Sequence, residues 1–422
     1  MHENDLPAAA IVDPSTYTDE ARLHGMLARL RRIDPLPYVQ AEGFSPFWLV
    51  TRYADIIAIE QDAKQFINAP RQAIFPLSYE RRNQEMTGRP TKDLMRNVVA
   101  MDGDEHRAYR AITQSRFLPN AITNMRQSIE ALASEYLQRM EALGERCDFA
   151  GDVAKWYPLR VIMSLFGIPS EDEALMLRLT QQILSSQDPE FAHNSGGSGI
   201  QAMMEMAQYF APIVKERRSN PRDDLASVVA NAVVDGQLLS DRDVFGYFLI
   251  ITTAGHDTTS YSLAGGLLAL LQNPEQMARL RAESTLIPTA VDEMIRWCTP
   301  VRHFCRTAVE DRVIRGQHVK AGDVLLLSYP SANRDEEIFT DPFAFRVDRK
   351  PNRHLAFGNG PHVCLGQHLA KLELVSFLRE FLARVEAVEL AGEPRFVASS
   401  FVGGVKELPI RYRFQKPVNA AA

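Results

Sequence analysis

One stretch of the chain concentrates residue types that do chemistry only when held in a defined way: Phe357-Gly358-Asn359-Gly360-Pro361-His362-Val363-Cys364-Leu365-Gly366. After it, Leu365, Leu369, Leu372, Val375, Leu378 and Leu382 recur at helical spacing, which puts Cys364 at the start of an amphipathic helix. Free backbone N–H groups and the positive dipole end there favour a thiolate and predict a lowered thiol pKa. Gly360 and Gly366 admit a backbone or a flat ligand where a Cβ would intrude. Phe357 is placed to shield the sulfur from water. Three readings of Cys364 stand side by side. It is a buried core cysteine, or a zinc ligand with His362 or His368, or the axial thiolate of a haem. Zinc wants four ligands, and no second Cys/His pair at finger-like spacing supplies them.

A second stretch is Ala254-Gly255-His256-Asp257-Thr258-Thr259. Gly costs a helix about 1 kcal/mol relative to Ala, and an ionisable Asp is costly to bury without a partner. The functional reading is a local helix distortion beside a reactive centre, with Asp257 and Thr258 able to relay protons. The plain alternative is that the hydroxyls bond back to the preceding turn and Asp257 faces an Arg. A third feature, Glu293-Met294-Ile295-Arg296, sets Glu and Arg one helical turn apart. Alone it reads as a surface ion pair of a few tenths of a kcal/mol.

The elements that must position these residues are mostly helical. The longest helix begins at Ser240, an N-cap followed by Asp241 and Asp243, and stops at Asn273-Pro274. Some thirty residues at about 1.5 Å each give roughly 45 Å. Apolar residues on nearly all its faces predict burial through the middle of the protein. Further helices are expected over roughly Glu171–Gln187 and Ile200–Arg218, joined by Ser195-Gly196-Gly197-Ser198-Gly199, a surface loop or a mobile lid. A β-hairpin is expected from Tyr38–Gln40 and Phe47–Thr51 around Glu42–Pro46, and a second β-rich region between Arg302 and Tyr329. The expected architecture is one mainly α domain with small β-sheets over residues 1–422, about 1–14 being an extended N-terminal tail.

The 422 residues carry a net charge of −6 and no dense Lys/Arg run, which argues against nucleic acid as a partner. Met1–Pro14 lacks a charged-then-apolar signal pattern, and the most apolar stretch is interrupted by His256 and Asp257, so no membrane partner is expected. Cys147, Cys298, Cys305 and Cys364 show no disulfide-framework spacing, which fits a reducing, cytoplasmic setting.

Together these motifs resemble the cytochrome P450 family, in this order and through most of the chain. Phe357–Gly366 matches the family's cysteine loop, Phe-x-x-Gly-x-x-x-Cys-x-Gly, at every fixed position. Glu293 and Arg296 match its Glu-x-x-Arg pair, with Arg349 at the place of the third member, and Ala254–Thr259 matches the oxygen-activation stretch of the long central helix. Ser331–Asp335 and Pro351–His354 resemble structural segments of the bacterial members. Ala254–Ser260, Leu327–Pro330 and Phe401–Gly404 resemble the bacterial terpineol-hydroxylating branch.

The resemblance implies a haem-thiolate monooxygenase with haem b held between the central helix and the cysteine-loop helix, and Cys364 as the iron ligand. It implies that His106, Arg110, Arg306 and His362 meet the haem propionates, as cationic donors facing carboxylates should, with Phe357 and Gly366 also at the cofactor. Ile250, Ala254, Val301, Phe401 and Val402 are expected to line the pocket. Dioxygen is split with two electrons and two protons, the protons passing Asp257 and Thr258, to hydroxylate a small hydrophobic substrate such as a monoterpenoid or alkylbenzene. No flavin, nicotinamide or iron–sulfur module is visible in the chain. Electrons are therefore expected from a separate Fe–S ferredoxin with its NAD(P)H-dependent reductase, docking at Arg107, Arg110, Arg353 and Lys371. A peroxide-driven peroxygenase and a haem-thiolate sensor are the alternatives.

Overall fold

The long helix forms where its caps place it. Ser240 Oγ accepts the Asp243 N–H at 3.2 Å, and the helix runs Asp241–Gln272 to Asn273-Pro274. This computed structural model describes residues 6–88, 96–184, 187–194 and 199–415. The central helix is unbroken through Ala254–Thr259, so the distortion expected there does not occur. Its glycines serve close packing instead. A Cβ on Gly255 would lie 2.5 Å from Ile162 Cδ1 on the helix Trp156–Leu165. One on Gly265 would lie 2.7 Å from Cys298 Sγ, and one on Gly266 would strike Met294, both on the helix Ile287–Cys298. The helix is buried along most of its length by these neighbours and by the cysteine helix Gln367–Arg384.

The strands follow the alternating runs. β1 (Tyr38–Val39) pairs antiparallel with β2 (Phe47–Val50), β3 is Phe66–Ile67, and the second β region supplies β4 (His303–Ala308) and β5 (Val324–Ser328). They assemble as β1-β2-β5-β4-β3, with β2 and β5 parallel. The short hairpin Arg312–Ile314/Gln317–Val319 turns at Arg315-Gly316, both at positive φ. The helices expected on either side of Ser195 occur as Glu173–Leu184 and Gly199–Ser219, while Ser195–Ser198 lie outside the described residues.

The N-terminal segment is not the extended tail expected to residue 14. Ala8–Val12 and Pro14–Thr18 form 3₁₀ turns, and Ile11, Val12 and Tyr17 are buried against Leu23, Leu27 and Leu30. A tail with this much apolar surface gains by covering the helix Glu20–Ile33.

Glu293 and Arg296 are fully buried, not a surface pair. Arg296 binds the carboxylate bidentately at 2.7 and 2.7 Å, Arg349 Nε adds contacts at 3.1 Å, and Asn352 Nδ2 and the Arg346 N–H complete the shell at 3.1 and 3.0 Å. At the helix end Thr299 adopts φ 42°, held by Asn333 Nδ2 on its hydroxyl at 2.9 Å. The buried guanidiniums of Arg302 and Arg334 donate to the carbonyls of Arg296, Trp297, Cys298 and Thr299, answering the negative end of the helix dipole.

Burial pushes the Glu293 carboxyl up, but Arg296, Arg349 and the Arg346 N–H overcome it and hold the group below the ordinary carboxylate range. Glu293→Gln leaves two buried cations uncompensated and is expected to cost about 3–5 kcal/mol in urea denaturation at neutral pH. A depressed folded value means that this stabilisation is full above the unfolded pKa of about 4.3 and is lost as pH falls through the folded value. Acid should therefore narrow the gap between wild type and variant; a gap constant down to the acid transition contradicts the assignment.

Candidate active site

The cysteine loop is shaped by its own backbone. Cys364 N–H donates to Phe357 O at 2.9 Å and Val363 N–H to Gly360 O at 3.1 Å. Gly360 has φ +69°, and a Cβ there would collide with the Glu60 backbone, so this glycine serves chain packing. Gly366 differs: a Cβ there would meet nothing closer than Cys364 Sγ at 4.0 Å, and the residue fronts a cavity. The segment entering the loop is tied to the Glu293 helix through Asn333, whose Oδ1 accepts Leu355 N–H at 2.6 Å and whose carbonyl accepts from Arg296 Nη1 at 2.7 Å. Cys364 lies three residues before the cysteine helix, its sulfur facing the N–H groups of Gly366 and Gln367. Its thiol is not lowered as expected: burial pushes it up, and those N–H groups and Arg110 only partly offset this.

Above the sulfur lies a cavity with about 1440 Å³ of space free of protein atoms, part of it open to solvent. The central helix presents Ile250, Ala254 and Thr258 to it, and Val301 closes another side, as the sequence predicts. Phe401 and Val402 do not reach it. Val402 forms a β-bridge with Val301 and packs on Tyr261 and Val397, while Phe401 meets Phe75, His303 and Phe304 edge-on. The bridge turns these side chains behind the wall, and Phe304 takes the lining position.

At the cavity edge His106, Arg110, Arg306, His362 and Phe357 converge with Cys364, as expected. The His106 and His362 rings stack with centroids 3.9 Å apart. Arg110 Nη2 donates to Val363 O at 2.7 Å, and Arg306 Nη2 contacts Glu60 Oε1 at 3.2 Å. Burial first, then His106, Arg306 and Arg110, push His362 down to about 2. So concentrated a set of donors, answered by one carboxylate at 3.2 Å and by Asp102 at 3.8 Å from His362, fits a ligand that brings its own negative groups. The open face at Gly366, bounded by the sulfur, fits a flat ring system. No group of three or more His, Cys, Asp or Glu able to hold a metal ion occurs among the described residues, so the zinc reading lacks a ligand set.

Thr258 and Asp257 part company. Thr258 lines the cavity, its hydroxyl bonded back to Ala254 O at 2.8 Å. Asp257 is buried beside the wall, with Oδ1 3.2 Å from His256 Nδ1, rather than facing an Arg. Of the expected surface cations, Arg110 belongs to the cavity, because its guanidinium caps the Val363 carbonyl. Lys371 is engaged by Asp292 at 2.8 Å and Arg107 by Asp104, while Arg353 is exposed.

Several polar lining residues escaped the sequence reading, Glu60, Asn68 and Glu373 among them. Glu60 lies on the helix Tyr53–Gln61 and Asn68 just past β3, with no local pattern to mark them; Glu60 accepts from Tyr329 OH at 2.7 Å. Glu373 could have been found, because it interrupts the apolar stripe next to Leu372. It is buried, Oε2 has no partner, and burial pushes its carboxyl well above the ordinary range. Among the described residues no helix is long and apolar enough to cross a membrane.

Known proteins share this arrangement. Residues 46–402 match the family described as Cytochrome P450. Cytochrome P450-terp of a Pseudomonas species is 40% identical over 96% of this chain and 97% of its own length. Linalool 8-monooxygenase of Pseudomonas putida is 30% identical over 94% and 97%. The crystal structure of CYP108D1 from Novosphingobium aromaticivorans superposes with a TM-score of 0.90 at 42% identity, covering 97% of this chain and all of that one. With this coverage, and a cysteine loop facing the central helix across a cavity rimmed by cationic donors, the chain belongs to the cytochrome P450 family of haem-iron monooxygenases.

Proposed function

We propose that the chain is a single cytochrome P450 domain that hydroxylates a small hydrophobic substrate, a monoterpenoid or alkyl-substituted aromatic, with haem b as cofactor. The observation that carries the reading is the meeting of Cys364, four cationic or imidazole donors and an aliphatic wall around one cavity. When bound, haem supplies the redox chemistry: reductive cleavage of dioxygen and transfer of one oxygen atom to a C–H bond.

The protein's residues hold and tune. Cys364 Sγ would hold the haem iron, its charge steadied by the Gly366 and Gln367 N–H groups. His106, Arg110, Arg306 and His362 receive the propionates, which explains why so many donors converge there. Ile250, Ala254, Val301 and Phe304 exclude water and shape the substrate space. Thr258 holds a proton at Oγ1 on the cavity wall, and Asp257, buried beside that wall, is the acid of the relay. Glu293, Arg296 and Arg349 have a structural role, bracing the segment that leads into the cysteine loop.

The substrate class is supported by the names of relatives, P450-terp and linalool 8-monooxygenase, and by a Mycobacterium marinum homologue solved with pseudoionone. A steroid C26-monooxygenase at 33% identity marks the bulkier alternative. Electrons come from an Fe–S ferredoxin and its NAD(P)H-dependent reductase, docking near Arg107 and Arg353. Four free cysteines favour a reducing cytoplasm.

An absorbance spectrum of the dithionite-reduced protein under carbon monoxide tests the ligand. A strongly red-shifted Soret band that vanishes in Cys364→Ser is expected, and a band typical of histidine ligation overturns the assignment. Thr258→Ala should keep oxidising reductant while product per electron falls about tenfold or more and peroxide rises. Unchanged product yield would favour the peroxygenase or sensor readings. Arg107→Ala combined with Arg353→Ala should slow ferredoxin-driven reduction several-fold and steepen nothing in dithionite reduction. Equal ferredoxin rates would move the docking face elsewhere.

A further inference from the structure

His256 is buried with no exposed surface, yet both ring nitrogens are engaged. Nε2 lies 2.7 Å from Lys155 O, and because a carbonyl only accepts, Nε2 carries a proton. Nδ1 lies 3.2 Å from Asp257 Oδ1 and 3.3 Å from Thr180 Oγ1. The Thr180 hydroxyl is also within 3.1 Å of Leu177 O, a carbonyl that can take its hydrogen. Adjacent residues on a helix diverge by about 100° and do not normally meet. The contact therefore requires the imidazole to be swung toward Asp257, and the Lys155 carbonyl, outside the central helix, holds it there.

The carboxyl has little else. Oδ2 has no partner, and burial pushes Asp257 up while His256 alone pulls it back. Charged groups on the packed elements are answered elsewhere. Lys155 faces Asp148 and Asp152, Glu173 is met by Arg139 and Arg160, and Arg178 is paired with Glu205. On the helix Ile287–Cys298, Glu293 is closed by Arg296 and Arg349; on the cysteine helix, burial pushes the Glu373 carboxyl up.

We propose that His256 is a positioning residue for the relay acid: anchored on Lys155 O, it fixes Asp257 through Oδ1, shares one proton with it, and leaves Oδ2 as the exchanging oxygen. The proton sits between Nδ1 and Oδ1, as imidazole with carboxylic acid or as imidazolium with carboxylate, so no charge is created or lost within the pair. The proposal rests on the reading of Asp257 as the relay acid.

Two variants separate the contacts. His256→Asn keeps an amide where Nδ1 stood, and His256→Gln keeps one where Nε2 stood. Holoenzymes that retain the wild-type carbon monoxide spectrum are compared by infrared spectroscopy, using the carboxyl band lost in Asp257→Asn, and by reductant oxidation with ferredoxin, reductase and linalool as the probe. His256→Gln is expected to shift the Asp257 band and slow reductant oxidation about tenfold. His256→Asn should return both toward wild type. If His256→Gln leaves band and rate unchanged while Asp257→Asn slows turnover, the relay reading stands and the role of His256 is overturned. If Asp257→Asn turns over at the wild-type rate, the relay reading fails and the proposal falls with it, whatever the band shows of the contact.

Discussion

The structure turns on a carboxylate that cannot be left alone. Glu293 is fully buried, and a buried charge is tolerable only when its lone pairs are filled. Two guanidiniums, an asparagine amide and a backbone N–H fill them, and these four donors lie in two places: the helix Ile287–Cys298 and the segment Arg346–Asn352. Satisfying one charge therefore fixes the approach of the chain to the cysteine loop. Arg296 extends the constraint by donating to Asn333 O at 2.7 Å, and Asn333 in turn receives the Leu355 N–H that begins the loop. The position of Cys364 is thus set from outside the cavity, by groups that never touch a substrate.

The cavity edge inverts the same logic. There the nitrogen donors are crowded together, and burial with His106, Arg306 and Arg110 pushes His362 down to about 2. The crowding is compatible with folding because burial pushes both His106 and His362 down and their rings stack, leaving Arg110 and Arg306 tied to a carbonyl and to Glu60. Carboxylates entering this space would find guanidiniums already oriented, which costs little rearrangement.

Much of this was legible in the chain because it depends on local rules. The caps Ser240 and Asn273-Pro274, the alternation in Tyr38–Val39 and Phe47–Val50, and the cysteine-loop glycines each act within a few residues. What escaped depends on contacts far along the chain. Phe401 and Val402 were expected in the cavity, but the bridge to Val301, a hundred residues away, decides which way they face. Arg110 was assigned both to the cofactor edge and to a docking surface, and only the carbonyl of Val363 decides between them. The Cys364 thiol was expected to be acidic from its helix position. Its burial, a property of the whole fold, outweighs the helix end.

The central helix explains how reactive groups are carried through a core without breaking it. Thr252, Thr253, Thr258, Thr259, Ser260 and Ser262 all bond back to carbonyls in the preceding turn, so their hydroxyls need no partners from other elements. Gly255, Gly265 and Gly266 replace side chains at the closest helix crossings. These devices neutralise every awkward residue in the stretch except the charged one. A carboxylate cannot bond back to a carbonyl, so Asp257 needs a partner of another kind, and the side chain that faces its Oδ1, at 3.2 Å, is its neighbour. His256, already anchored at its far nitrogen, meets that need. The plain reading holds for the threonines, whose hydroxyls bond back, while Asp257 in the same turn faces His256 rather than an Arg.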